Sequence, residues 1–264
     1  MSTESKEDVV VLYDIPSREP CSAWSLNPWK TRLVLNYKNI PYRTEWVEYP
    51  DLAPTLSKLV PKRESATHST EEFTSPTITL PDGTAIMDSL AIAKALEQLQ
   101  PKPSLQLDSP LLDKVTTLIF QIRTALVPIF MPLVHKLLLP ERSAEYFRRT
   151  REQRTGRTLE EIYNDPETGG AKAWEKGEKD GLRELGELYK RAKKENGGPF
   201  LEGKEPGFAD FVVAGQMRMF ERLGHLEDYI KGSGKEVGEM YERVGRGWKG
   251  MIIELIELCL CAEL

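Results

Sequence analysis

Four polar residues that could do chemistry together, Ser25, Asn27, Lys30 and Arg32, fall at the end of one short stretch, VVVLYDIPSREPCSAWSLNPWKTR, from Val9 to Arg32. The apolar run Val9–Tyr13 is too short for a buried helix and stops at Asp14 and Pro16, so it predicts a central strand. Asn27 is a good N-cap, Pro28 suits a first helical position, and Leu33, Val34 and Tyr37 supply an apolar face, so a helix should follow. Ser25 is therefore expected two residues upstream of a helix N-terminus, where unpaired backbone N–H groups and the positive end of the helix dipole favour an anion. A thiolate is such an anion. A hydroxyl donor in that place would hold a sulfur in its ionised, nucleophilic form near neutral pH.

The elements that must position this turn follow in order. Ile40-Pro41 breaks the chain, and Tyr42–Glu48 carries β-formers that predict a second strand, parallel to the first because a helix intervenes. Asp51–Leu59 reads as a short helix and Val60–Thr74 as a polar loop longer than most connectors. Thr77–Leu80 is an expected strand. Pro81-Asp82-Gly83-Thr84 is a hairpin turn, and Ala85–Met87 returns antiparallel. A helix follows at once, capped by Asp88 or Ser89, with Leu90, Ala93, Leu96 and Leu99 on one face. The order βαβ, α, ββα is that of a thioredoxin-like domain.

Two pairs in this half could touch a ligand. Pro76 opens the third strand. A cis bond there would turn the backbone of Ser75 outward, whereas an ordinary trans proline at a strand edge would present nothing. At Asp88-Ser89 the helix start could grip a carboxylate while Asp88 meets an ammonium. The same pair also suffices as a plain cap with no ligand.

Gln100-Pro101-Lys102-Pro103 reads as a break between domains, and all that follows reads as helix. Ser109-Pro110 should start a long helix reaching about Leu139, kinked or restarted at Pro128 and Pro132. Ala144–Ile162 reads as a charged helix, Asn164–Gly170 as a loop, and Ala171–Glu195 as an amphipathic helix closed by Asn196-Gly197-Gly198-Pro199. An apolar helix should begin near Gly207 with Asp210 at its fourth position, and a last helix is expected over Gly247–Leu260.

The 264 residues suffice for one large or two small domains, and 40% hydrophobic with 29% charged residues is a globular composition. A formal net charge of −5 argues against a nucleic-acid partner, which would need phosphates neutralised. The arginine run Tyr146–Arg157 reads as a solvated helix face rather than an anion patch. No apolar run has the length of a membrane span, and the start MSTESKEDVV lacks a signal-peptide core, so a cytoplasmic protein without a membrane partner is expected. Three cysteines, Cys21, Cys259 and Cys261, make no disulfide framework. His68, His135 and His225 are scattered without ligand spacing, so no metal is expected. Gly245, Gly247 and Gly250 match G-x-G-x-x-G by letter, but no strand precedes them.

Taken together, WKTRLVLNYK, EYPDLAPTL and the segment SPTITLPDGTAIMDSLAIAKALE after Thr74 resemble cytosolic glutathione transferases with a serine active site, in particular fungal ones of the etherase-related kind. The resemblance covers residues 9 to 100 and is thin beyond. It implies a thioredoxin-like glutathione-binding domain over 9–100 and an all-helical domain over 108–260 that forms a second-substrate site. It also implies a homodimer. In that family the proline corresponding to Pro76 is cis and the residue before it, here Ser75, pairs with the backbone of glutathione's cysteine. Asp88 and Ser89 would take the γ-glutamyl end, the sulfur would face Ser25 and Asn27, and Lys62 or Arg63 would take the glycine carboxylate. Trp24, Phe130, Met131 and Val134 would line the pocket of a hydrophobic partner.

The implied reaction is conjugation or cleavage of a hydrophobic electrophile, an aryl ether for instance, with glutathione as co-substrate. Detoxification or secondary metabolism is the implied setting. Two other classes stay open: an enzyme on this fold that isomerises, dehydrates or cyclises a biosynthetic intermediate, and a non-catalytic carrier of hydrophobic ligands. Cys21 is a rival to Ser25, able to form a mixed disulfide with glutathione, though four residues upstream it lacks the helix dipole that would lower its pKa. Ser22 is a further rival. The segment IPSREPCSAW leaves the register of the turn open.

Overall fold

β1 (Val10–Asp14) runs through the middle of a four-stranded sheet of order β2-β1-β3-β4 in the computed structural model, which describes residues 9–63 and 71–246. β2 (Tyr42–Trp46) lies parallel to β1, β3 (Thr77–Thr79) antiparallel to it, and β4 (Ala85–Met87) antiparallel to β3. Leu12 pairs with Thr44 on one side and Ile78 on the other, and both Leu12 and Ile78 are fully buried, as central positions of a covered sheet must be. The crossover from β1 to β2 is α1 (Leu26–Tyr37); after β2 come a 3₁₀ turn and the short α2 (Leu52–Leu56). α3 (Ser89–Leu99) closes the thioredoxin-like half and packs on α1. At the far end of α1 the Lys38 ammonium donates to the carbonyls of Gln100 and Pro103, tying the connector between the halves to this helix.

The other half is helical: α4 (Pro110–Ala125), α5 (Val127–Leu133) running into a π turn, α6 (Glu141–Thr155), α7 (Leu159–Tyr163), α8 (Gly170–Gly177), a second π turn, α9 (Arg183–Asn196), α10 (Phe208–Arg222), α11 (Leu226–Ser233) and α12 (Lys235–Arg246). The long first helix breaks at Leu126, ahead of Pro128, and its two parts are bent by 71°. No single helix among the described residues is long and apolar enough to cross a membrane; only that bent pair meets the criterion by length and composition.

Several expected helices divide. The charged stretch 144–162 is two helices, because Gly156 takes φ 67 and Thr158 and Glu161 form a capping box that starts α7. The stretch 171–195 is interrupted by a π turn over Glu178–Leu182, where Gly181 lies so close to α4 that a Cβ would meet Ile122 at 2.7 Å. α11 and α12 fall in a stretch read as helical without separate bounds, and the helix expected over 247–260 lies outside the described residues.

α10 is the buried axle of the helical half, packed against both α1 and α4. Its start is held by Asp210, whose carboxylate accepts from the backbone N–H of Gly207 (2.9 Å) and Leu201 (3.2 Å) and from the Tyr189 hydroxyl (2.9 Å). Burial pushes this carboxyl up to about 6 against the pull of those donors. Asp210 is structural, as its capping position predicts.

Where α10 meets α1, Gly215 lets the two backbones touch: a Cβ there would lie 2.6 Å from the carbonyl oxygen of Leu26. Gly215→Ala is expected to cost about 1–3 kcal/mol through the forced separation. The roughly 1 kcal/mol by which alanine exceeds glycine in a helix offsets part of that. A lowered urea midpoint checks it.

Candidate active site

The first helix starts earlier than its sequence suggests. Ser25, at φ −77 and ψ 135, is the N-cap of α1, and Asn27 lies inside the first turn rather than at the cap. Pro28 is accepted at the third helical position because the first four N–H groups of a helix have no internal partner to lose. The same proline removes a donor that a capping serine ordinarily binds, and the Ser25 hydroxyl makes no capping hydrogen bond. It is thus left for another partner at the positive end of α1.

Ser25 and Asn27 lie in the wall of a cavity of about 770 Å³ between the two halves, together with Trp24, Ser75, Phe130, Met131 and Val134. Seven of the residues singled out from the sequence are therefore brought to one space. The Trp24 indole is fixed by donating to the Pro16 carbonyl at 3.3 Å, leaving its ring as wall. The Ser75–Pro76 peptide is cis. The Ser75 hydroxyl donates to the Tyr13 carbonyl at 2.9 Å, so what this residue can offer a ligand is backbone.

Asp88 and Ser89 start α3 outside the lining of that cavity, with Asp88 as the cap. One Asp88 oxygen accepts from the N–H groups of Leu90 and Ala91, and the residue holds φ 88, a left-handed value unusual for a side chain larger than glycine. Its other oxygen accepts from Arg63 at 3.2 Å, and the same guanidinium nitrogen reaches Thr74 at 3.1 Å. Arg63 therefore stands beside Asp88 and Thr74. Lys62 is not brought to the cavity: its side chain is 70% exposed and pairs with Glu72. The physical reason is chain direction. Thr74 and Asp88 flank the β3–β4 hairpin, and Arg63, whose backbone N–H donates to the Glu72 carbonyl, lies beside both.

Two cations stand near this turn: Lys30, which the sequence groups with Ser25 and Asn27, and Arg123, which it does not single out. The Lys30 ammonium donates to Asn27 Oδ1 at 2.9 Å, which directs the amide NH₂ of Asn27 away from Lys30. The i, i+3 spacing on a first helical turn could have revealed that pair. Burial and the nearby Arg123 charge push Lys30 down to about 8, with Asp88 acting in the other sense. Between pH 8 and 10.5 the unfolded chain then binds more protons than the folded one at this residue, so its contribution to stability rises with pH across that window. Lys30→Met is expected to flatten the rise, read as the change in urea midpoint between the two ends of that window.

Arg32 turns the opposite way, into the core, where it pairs with Asp14. Cys21 is half-exposed and outside the cavity lining. The Ser22 hydroxyl accepts from Arg222 of α10 and its N–H donates to Ser17 Oγ, so it is held as structure. Among the described residues no group of three His, Cys, Asp or Glu side chains gathers to hold a metal.

A family model of the glutathione S-transferase N-terminal domain matches residues 24–99, and one of the C-terminal domain matches residues 115–231. Over 227 residues, 80% of each protein, the chain is 35% identical to the glutathione S-transferase-like protein ustS of Aspergillus flavus. The chain belongs to the glutathione S-transferase family. Among solved members, a glutathione S-transferase of Ceriporiopsis subvermispora crystallised with glutathione is 31% identical, with a TM-score of 0.75 over 90% of this chain and 97% of that one. A glutathione transferase of Phanerochaete chrysosporium is 29% identical, with a TM-score of 0.79 over 95% and 99%. The family likeness thus spans both halves of this transferase fold, including the helical half where the sequence resemblance is thin.

Proposed function

We propose that this chain binds glutathione with its sulfur at the mouth of α1 and transfers the thiolate to a hydrophobic electrophile in the adjoining cavity. The observation that carries the reading is the Ser25 hydroxyl, uncapped at a helix N-terminus in the wall of a 770 Å³ cavity. The glutathione complex of the Ceriporiopsis relative supports it. In this reading the Ser25 hydroxyl and the Asn27 amide donate to the sulfur, while the thiol proton leaves to water. The backbone of Ser75 lies along the cysteine of the tripeptide, and Asp88 and Ser89 take its γ-glutamyl end. The thiolate then attacks an electrophilic carbon of a molecule seated on Phe130, Met131 and Val134, expelling a leaving group such as the oxygen of an aryl ether.

Residues 9–100 would supply the glutathione half and residues 108–260 the second-substrate half, in a homodimer that light scattering would read as twice the chain mass. Titration calorimetry with reduced glutathione is expected to give a Kd below about 1 mM. No heat at millimolar tripeptide would end the reading.

A further inference from the structure

The cavity wall carries three arginines, Arg123, Arg151 and Arg154, against two glutamates, in a chain whose formal net charge is −5. Both glutamates are engaged, Glu71 with Arg154 at 2.5 Å and Glu72 with Lys62 at 3.4 Å. Arg151 lies on the Phe147 ring at 4.4 Å, near the Tyr49 ring at 5.4 Å, and donates to Thr150. Arg123 is different. Its guanidinium sits over the Phe120 ring at 5.6 Å but has no carboxylate and no hydrogen-bond acceptor among the described residues. Burial holds it below its ordinary range, and its charge depresses that of Lys30 in turn. Like charge on the partly buried Arg123 and Lys30, close enough for one to depress the other, is a cost to the free protein that an anion beside Arg123 would reduce.

We propose that the second substrate of this site carries an acidic group, a carboxylate or sulfonate, on an apolar body, and that Arg123 of α4 is the residue that recognises it. The inference rests on the reading of the cavity as the second-substrate site. The apolar body lies against Phe130 and Met131, and the acid reaches the guanidinium, whose planar fork suits two parallel hydrogen bonds to one carboxylate or sulfonate. A neutral analogue of the same shape leaves Arg123 half-buried and unpaired, so the preference is written into the free protein.

The test uses two fluorescent probes of one shape, 8-anilinonaphthalene-1-sulfonate and the uncharged N-phenyl-1-naphthylamine, titrated into the full chain without and with glutathione. The sulfonate should bind at least about tenfold more tightly, the scale of a hydrogen-bonded charge. Arg123→Gln should abolish that preference while leaving the neutral probe within about twofold, and Arg123→Lys should keep part of it. Near-UV circular dichroism checks that each variant is folded.

Equal binding of the two probes by the wild type, or equal losses for both probes in folded Arg123→Gln, overturns the proposal. So does an Arg123→Gln variant that weakens glutathione itself or raises the pKa of its bound thiol, since Arg123 would then serve the tripeptide. Failure of glutathione to bind the wild type overturns the transferase reading instead. The probe preference, measured without glutathione, still decides whether Arg123 recognises an acid.

Discussion

Ser25→Ala is expected to lower kcat/KM at pH 7 by about 10²-fold, the usual cost of removing one preorganised donor from a developing or resident anion. The loss comes through the thiol. A free thiol near 8.5 is mostly protonated at neutral pH, and one hydrogen bond from Ser25 in a partly dry cavity would lower it by roughly one to three units. Without the hydroxyl the pKa climbs back. Less thiolate is then present at pH 7, and raising the pH through the restored pKa recovers part of the rate. The N–H groups of Leu26 and Asn27 and the amide of Asn27, turned by Lys30, remain in the variant. Recovery should therefore stop short of the wild type by less than about tenfold. Absorbance of bound thiolate near 240 nm gives the pKa, and a pH profile of kcat/KM gives the rate. Full activity in Ser25→Ala together with its loss in Cys21→Ala would move the role to the cysteine, against the position of Cys21 outside the cavity lining.

Asp14→Ala is expected to cost about 3–5 kcal/mol of stability, because it strands a charge rather than removing a contact. Asp14 and Arg32 are 0% and 2% exposed, and one carboxylate oxygen accepts from both Nε (3.1 Å) and a terminal nitrogen (2.9 Å) of the guanidinium. That guanidinium also donates to Thr44 and lies over the rings of Tyr42 and Trp46, so it cannot turn out to water without emptying the space beneath β2. A midpoint drop of roughly 2–4 °C per kcal/mol for a chain of this size would be read by calorimetry. The double variant Asp14→Leu/Arg32→Met should be less destabilised than Asp14→Ala alone, since it buries no unpaired charge. Greater loss in the double variant would mean that the pair stabilises the fold directly. Asp14 also ends the strand that leads into the Ser25 turn, so the single variant should weaken glutathione binding under conditions where it is still folded.

Much of the site was legible because its parts are local. A strand stopped by Asp14 and Pro16, a helix starting shortly after it, a hairpin at Pro81–Thr84 and a capped helix at Asp88 each depend on residues within one turn of one another. The misplaced start of α1 has a physical cause. Proline at the first helical position and proline at the third look alike in sequence, since at neither would an N–H have a partner within the helix, and only the packed helix shows that Ser25 is the cap. The divided helices were missed for a related reason. A charged, weakly amphipathic run such as 144–162 gives no phase to interrupt, so Gly156 and the Thr158–Glu161 box passed as interior residues.

What the sequence by itself determined is the thioredoxin-like order, the strand-to-helix turn bearing Ser25, the proline opening β3 and the capping role of Asp210. All are set by patterns of backbone donors and apolar faces over a few residues. Tertiary structure alone decided that Arg63 meets Asp88 while Lys62 faces water, and that Arg123 comes from α4 to the same cavity. The placement of Arg123 depends on how closely α10 seats α1 and α4, with Gly215 at the α1 contact, a distance between helices remote in the chain that no local periodicity encodes.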